Sequence, residues 1–302
     1  MAAQLRALRS RIRSVKSTAK ITRAQELVAT ANISTAQNRL AAAKPYADQV
    51  TAAVSALVSH HNGIAHPLLD HGRDTGRAAV LMMTSDRGFC GGYNVNVIKA
   101  TDQLATALRE QGGEPVVYAE GQRGIDNYRF REKPTAAEWG GRSGHPTYEL
   151  AAEIGATLLD AFSRPVEEGG VGAVHIVYTE FHSMLEQRTT VRRILPLAVE
   201  DAEADAAGGV LLPAYDFEPT PAAALDGLLR QYVNARIWHM LLESAAAEWA
   251  ARRTAMMAAT DNAHDLVDRL TREANEARQA EITNELSEIV AGADALTAAD
   301  SD

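Results

Sequence analysis

An apolar stripe that repeats every 3.5 residues runs along the first 58 residues. It advances in alternating steps of three and four, and 14 of its 16 positions are Leu, Ile, Val or Ala. The positions are Leu5, Leu8, Ile12, Val15, Ala19, Thr22, Glu26, Ala29, Ile33, Ala36, Leu40, Ala43, Ala47, Val50, Val54 and Leu57. A repeat sustained over about eight heptads predicts a coiled-coil helix, because a globular helix drifts to 3.6 residues per turn. At about 1.5 Å per residue it would reach roughly 85 Å, so it needs an equally long partner.

The partner helix is predicted at the other end of the chain. Thr220 is a good N-cap and Pro221 suits a first helical turn, and no further proline follows. We expect helix from there to about Val290, with a 4-3-4-3 seam at Ala263, Val267, Leu270, Ala274 and Ala277. Matched lengths and Ala-rich seams favour an antiparallel coiled coil of the two helices. Two unrelated bundle helices are the open alternative.

The middle of the chain alternates strands with helices. Apolar runs at 78–84, 115–119 and 171–178 predict buried strands. Three helices are expected: one that follows the glycine-rich loop and ends near residue 110, one over 122–131 and one over 148–162. The stretch 187–195 alternates in polarity and predicts a strand near a sheet edge. The predicted fold is therefore α/β, a Rossmann-like domain with a mostly parallel sheet inserted into the coiled coil. The expected division is 1–63, 64–217 and 218–302.

Composition and charge narrow the possible classes of protein. The 302 residues are 46% hydrophobic, which excludes a disordered chain, and a net charge of −9 argues against a protein that binds nucleic acid over its whole surface. No run of 18 apolar residues occurs, so no membrane span is expected. His60, His61, His66 and His71 match no common zinc-ligand spacing, and no metal is expected.

The loop between the first predicted strand and the next helix is the main candidate for chemistry. It contains Gly88, Gly91 and Gly92, but neither a P-loop nor a dinucleotide fingerprint. We expect these glycines to provide positive φ angles and close packing, and Cys90 to be a small buried side chain. No catalytic constellation is visible elsewhere. We therefore expect no cofactor and no catalytic site.

Positive charge is concentrated in the first helix, where seven basic residues precede the first acid, Glu26. A solvated helix face is one interpretation, and an acidic protein partner is another. Two rival functions stay open: a coiled-coil scaffold that binds nucleic acid or an acidic protein through this helix, and a nucleotide-using enzyme built on the glycine-rich loop.

Four segments carry a family resemblance. They are KITRA at 20–24, SDRGFCGGYN at 85–94, ATDNA at 259–263 and ARQAEITNELSEI at 277–289. Together they resemble the gamma subunit family of F-type ATP synthase across essentially the whole chain. The resemblance implies a central-stalk rotor that couples ring rotation to ATP synthesis on the beta subunits. The implied partners are a hexamer of alpha and beta subunits, the epsilon subunit and the membrane c-ring, with the chain peripheral on the cytoplasmic face of a bacterial cell membrane.

The resemblance also implies residue roles. The implied contacts with the beta subunit are Lys20, Arg23, Arg252, Arg278, Gln279, Thr283 and Glu285. The implied apolar bearing at the tip of the last helix consists of Ile282, Leu286, Ile289 and Val290. Tyr215 is expected on the ring-side foot. A partner that is gripped needs directional, charge-assisted bonds, whereas a bearing needs apolar surface that slides.

Overall fold

The two long helices are present as predicted. The computed structural model describes residues 2–60, 67–69, 75–197 and 221–299. Helix α1 spans Ala2–His60, and the last helix, α5, spans Pro221–Ala299. Helix α5 continues nine residues beyond the predicted end at Val290, because this stretch is rich in alanine, the best helix former. The proposed N-cap Thr220 lies outside the described residues.

The heptad seam of α1 is confirmed. Every seam position from Leu5 to Val54 is buried or half-buried, and most positions between them are exposed. The two seam positions that are not apolar have polar partners. Thr22 accepts or donates a 2.7 Å hydrogen bond with Thr260 of α5, and Glu26 accepts from Arg23. These two polar residues therefore do not interrupt the seam, because their side chains are hydrogen-bonded.

The chain divides into two compact units. One consists of Met1–Val28 and Arg253–Asp302, and the other of Ala29–Arg252. The first contains the beginning of α1 and the end of α5, and its predicted α5 seam is buried at Ala263, Val267, Leu270 and Ala274. The expected three-part domain division remains a prediction, since these units are defined by contacts and cut across the helices.

The second unit contains a five-stranded sheet. Its strands are β1 (Arg77–Met83), β2 (Glu114–Glu120), β3 (Glu138–Trp139), β4 (Ala173–Phe181) and β5 (Gln187–Leu195). Their order is β3-β2-β1-β4-β5. All neighbouring pairs are parallel except β4 and β5, which are antiparallel. The mostly parallel sheet and the edge position of 187–195 are confirmed, while the two-residue β3 was missed.

Helices cover both faces of this sheet. They are α2 (Tyr93–Glu110), α3 (Gln122–Phe130) and α4 (Tyr148–Ser163). One apolar core lies between the sheet and α2 and α3, and a larger one joins the sheet to α4 and α5. The long α5 is thus part of the domain core, because Leu225, Leu229, Val233 and Ile237 are buried there. Both faces are covered as the strand patterns predicted.

The long helices run antiparallel within this unit. Ala29, Ile33 and Ala36 of α1 pack against residues 246–250 of α5. Further along α1, Val54 shares a core with Leu225 and Leu229. Rising numbers on one helix therefore meet falling numbers on the other. Within the described residues, no helix is long and apolar enough to cross a membrane.

Candidate functional site

The loop after β1 is organised by the carboxylate of Asp86. This group accepts hydrogen bonds from the backbone N–H groups of Gln122 (3.0 Å), Gly141 (2.7 Å) and Ser143 (2.8 Å). Gln122 begins α3, where a negative charge is favoured by the helix dipole. Burial alone would raise the pKa of Asp86, but the backbone hydrogen bonds from Gly141, Ser143 and Gln122 bring it below its usual value. As an anion, Asp86 therefore links its own loop to the start of α3 and to residues 141–143.

The rest of the loop is held by internal hydrogen bonds. Asn94 accepts from the Ser85 N–H (2.8 Å) and donates to the Ser85 hydroxyl (2.8 Å). Cys90 is buried as expected, and burial raises the pKa of its thiol. Of the three glycines, only Gly91 has the expected positive φ (57°); Phe89 also has one (62°), which was not predicted. A side chain at positive φ is strained, and the contacts around it must hold it there.

Arg252 of α5 forms hydrogen bonds with this loop from the interior of the protein. Its guanidinium donates to the carbonyl oxygens of Arg87 (2.9 Å) and Gly88 (3.3 Å). It also forms an ion pair with Glu248, one turn earlier, at 2.8 Å, and lies 4.7 Å from the Trp249 ring centre. The side chains of Arg252 and Glu248 are only 5% and 3% exposed.

The implied role of Arg252 as a beta-subunit contact stays a prediction, and the burial of its side chain does not support it. Its donors are directed at its own chain, and a side chain enclosed to this degree is not available to a partner in this structure. The physical reason is desolvation: a guanidinium in the interior needs partners within its own chain. The i,i+4 spacing of Glu248 and Arg252 in an alanine-rich stretch was the sequence signal for this pair.

Two further carboxyl groups of this region, those of Glu120 and Glu248, are buried. Glu120, at the end of β2, is fully buried, and one of its oxygens has no hydrogen-bond partner. Burial, followed by the charges of Asp86 and Glu248, raises the pKa of Glu120 well above its usual value. Burial also raises the pKa of Glu248, although Arg252 opposes it. The described residues contain no cluster of side chains suited to a metal ion.

The predicted contacts on α1 lie on its surface. Lys20 is exposed. Arg23 is also largely exposed and forms a 2.7 Å ion pair with Glu26, a seam residue. Arg23 is therefore partly engaged within the helix, while Lys20 presents its charge outward.

The predicted tip residues of α5 are also exposed. Arg278, Gln279, Thr283 and Glu285 all face solvent. The four aliphatic side chains Ile282, Leu286, Ile289 and Val290 are 45%, 58%, 67% and 58% exposed. Their spacing places them on one helix face, and large apolar groups left in water in this arrangement indicate a partner surface. Tyr215 lies outside the described residues.

These features define a class of protein: two long helices with heptad seams, and between them in sequence a sheet with its covering helices at residues 75–197, here called the α/β unit. A family model described as ATP synthase matches residues 4–296. The chain is 51% identical to the ATP synthase gamma chain of Acidothermus cellulolyticus, over 100% of both chains. It is 52% identical to that of Thermobifida fusca, over 99% of this chain and 98% of the relative. The chain belongs to the ATP synthase gamma chain family.

Solved structures share the fold. A chain of the mitochondrial ATP synthase of Euglena gracilis, in a structure of OSCP, F1 and the c-ring, matches with a TM-score of 0.68 at 17% identity, covering 100% of this chain and 97% of that one. A chain from the central stalk and c-ring of the Tetrahymena thermophila enzyme matches with a TM-score of 0.58 at 19% identity, over 79% and 99%. The resemblance and the fold class are confirmed, and the nucleic-acid alternative has no support.

Proposed function

We propose that this chain is the central-stalk rotor subunit of a proton-translocating F-type ATP synthase, coupling rotation of a membrane ring to ATP synthesis on beta subunits. The observation that carries the proposal is the sequence identity of 51% and 52% to two ATP synthase gamma chains over essentially their full length. The structure is mechanically suitable, because two paired helices resist bending better than a single helix. The chain contributes no catalytic site or cofactor of its own and acts on the catalytic sites of its partners.

The proposed partners follow from the solved assemblies that share the fold. Those assemblies contain F1 and c-ring components, and one of them is the rotor of the Euglena gracilis enzyme. By analogy, this chain would bind a hexamer of alpha and beta subunits, the epsilon subunit and the c-ring. It would be peripheral on the cytoplasmic face of the bacterial membrane, held there by the ring.

The proposed contact residues are those that lie on the surface. Lys20, Arg23, Arg278, Gln279, Thr283 and Glu285 would bind the beta subunit, and all six are exposed. The four exposed aliphatic residues of the α5 tip would form the bearing, and Tyr215 would lie near the ring. Arg252 is left out of the contact set, because its guanidinium is buried.

Reconstitution tests the rotor proposal. The isolated chain should have no ATPase activity, and its addition to purified alpha and beta subunits should raise their steady-state hydrolysis. Robust turnover by the isolated chain, or no effect on the alpha and beta subunits, would refute the proposal. Co-purification of both subunits with a tagged chain provides an independent check.

The residue assignment has its own test, the double substitution Arg278→Ala with Gln279→Ala. Exposed helical positions usually change stability by less than about 0.5 kcal/mol, so the fold should be retained. Coupled ATP synthesis and rotation should fall, because the directional contacts with beta are removed. The matched control is Lys99→Ala with Gln103→Ala, an exposed cation and amide on α2. Equal losses in both variants, or a loss of stability parallel to activity, would remove the two residues from the contact set.

A further inference from the structure

Three polar joints connect α5 to separate parts of the α/β unit within about two helical turns. Arg252 donates to the carbonyl oxygens of Arg87 and Gly88 in the loop after β1. The Trp249 indole N–H donates to the carbonyl oxygen of Gly144, at 2.9 Å. The Tyr93 hydroxyl, at the start of α2, donates to the carbonyl or hydroxyl oxygen of Ser244, each at 3.2 Å. The four side chains are buried.

Attachment of α5 to the sheet does not depend on these joints. The large apolar core already includes Leu225, Leu229, Val233, Ile237 and Leu241 of α5. Each fully buried aliphatic side chain contributes about 1.5 to 3 kcal/mol. A buried ion pair such as Glu248–Arg252 could often be replaced by apolar residues at no loss of stability. Its presence therefore suggests a role other than holding the unit folded.

Directionality distinguishes the joints from the core. Apolar attraction is non-directional, so a helix can shift along or about its axis on an apolar surface at small cost. Charge-assisted hydrogen bonds fix distance and angle, and a planar guanidinium holds two acceptors in a set geometry. Arg252 meets two successive carbonyl oxygens of one loop, and Asp86 holds that same loop to α3 and to residues 141–143.

The location of the joints matches a mechanical role. Arg252 is the last residue of the unit that contains the sheet. It is therefore placed where α5 leaves that unit. A joint at this point resists rotation of the helix against the sheet more directly than contacts near the beginning of α5.

We infer that the hydrogen bonds from Arg252 to the loop after β1, together with Trp249–Gly144 and Tyr93–Ser244, fix the angular register between α5 and the α/β unit, so that torque passes between them without slip. The inference rests on the proposed rotor function. These are positioning residues: they touch neither nucleotide nor the reacting groups. Glu248 acts through Arg252, which it orients and neutralises.

Single-molecule rotation of the complex with alpha and beta subunits tests this inference. A bead is attached to the α/β unit through Glu167→Cys, an exposed site, since the native Cys90 is buried. The test variant is Glu248→Gln with Arg252→Met, which removes both charges together. In a nucleotide-stalled complex, the mean-square angular fluctuation of the bead should rise by at least about half, since one of three parallel joints is lost together with its contact to the Trp249 ring. Unloaded ATP hydrolysis should be retained, and rotation against a viscous load should slow.

The matched control is Asp160→Asn with Arg164→Met, an exposed i,i+4 ion pair at the C-terminal end of α4. It should leave the fluctuation unchanged. If the test variant assembles and its fluctuation equals that of the unaltered chain or of the control, the inference is wrong. If it does not assemble, Trp249→Phe decides, because it removes the indole donor and keeps an aromatic ring: a rise supports the inference and no change overturns it. A bead that fails to rotate on the unaltered chain would refute the proposed function itself, and the inference with it.

Discussion

At the scale of single residues, Gly121, which follows β2, shows a close approach between two backbone segments. Its φ is 92°, and a Cβ atom there would lie 2.2 Å from the carbonyl oxygen of Thr84. Both the backbone angle and the space therefore require glycine. The loop that carries Asp86 starts beside Thr84, so this contact helps to place it.

Substitution of Gly121 by Ala should lower the free energy of unfolding by about 2 to 4 kcal/mol, because strain at positive φ and a backbone collision add together. Gly112→Ala is the control. It also has positive φ (85°) but nothing within 4 Å of the added Cβ, so its loss should be only about 1 kcal/mol. Urea unfolding of both variants measures the difference. Equal losses would mean that the neighbourhood of Thr84 relaxes freely.

Glu243 is the titratable residue with the clearest consequence near neutral pH. Burial, followed by the charge of Glu180, raises its pKa to about 7, although hydrogen bonding to Tyr178 and the charges of Arg236 and His182 oppose the rise. The unfolded chain loses this proton near pH 4.5, whereas the folded chain keeps it to about pH 7. The folded state binds more protons in this window, so stability should fall as pH rises through it.

The variant Glu243→Gln should lose this part of the pH dependence. Between about pH 4.5 and 7, the unaltered chain should lose up to about 3 kcal/mol relative to the variant, at about 1.4 kcal/mol per pH unit. Glu120 and Glu248 contribute in the same direction but are present in both proteins, so the difference isolates Glu243. Chemical denaturation across this range measures it, with the exposed Glu167→Gln as control. Parallel curves for the unaltered chain and Glu243→Gln would contradict the prediction.

At the scale of elements, the seam of α1 determines which side chains support the helix pair. Ile33 is 3% exposed and packs with the α5 residues Ala246 and Trp249, whereas Leu27, six residues earlier, is 58% exposed. Both are large aliphatic residues of the same helix. Only position in the 3.5-residue repeat separates them, and that repeat is legible in the sequence.

Ile33→Ala should cost about 2 to 4 kcal/mol, because it removes buried surface and leaves a cavity. Leu27→Ala should change the free energy of unfolding by less than about 0.5 kcal/mol in the isolated chain. Thermal or urea unfolding of each variant provides the measurement. A loss from Leu27→Ala as large as that from Ile33→Ala would mean that the seam has been placed on the wrong face.

At the scale of the whole molecule, the side chains described towards the end of α5 are not buried. From residue 278 to 291, all positions but Glu281 are exposed, including the four aliphatic residues of the tip. A helix alone in water has little to stabilise it beyond its own propensity. The tip is thus the part of the rotor most dependent on its partners.

A truncation series separates the tail from the bearing. Removal of 294–302 takes away a small, acidic stretch, so assembly and ATP hydrolysis with alpha and beta subunits should survive. Extension of the deletion to Ile282 removes four aliphatic residues, each worth about 1.5 to 3 kcal/mol when fully buried by a partner. Torque and complex stability should therefore decline between these cuts. Abrupt inactivation on loss of the last nine residues would assign the bearing to the tail instead.

The local patterns of the sequence determined both long helices, four of the five strands and the covering of the sheet on both faces. Heptad spacing and strand alternation arise from which side of an element is buried, so they can be read without knowing the partner.

The tertiary structure alone decided the two-residue β3, the anchoring role of Asp86 and the burial of Glu120. It also moved Arg252 from the surface to the interior, because its acceptors at Arg87 and Gly88 lie more than 160 residues away in sequence. Contacts between distant segments leave no periodic trace, and the cost of burying a charge is known only when its surroundings are assembled.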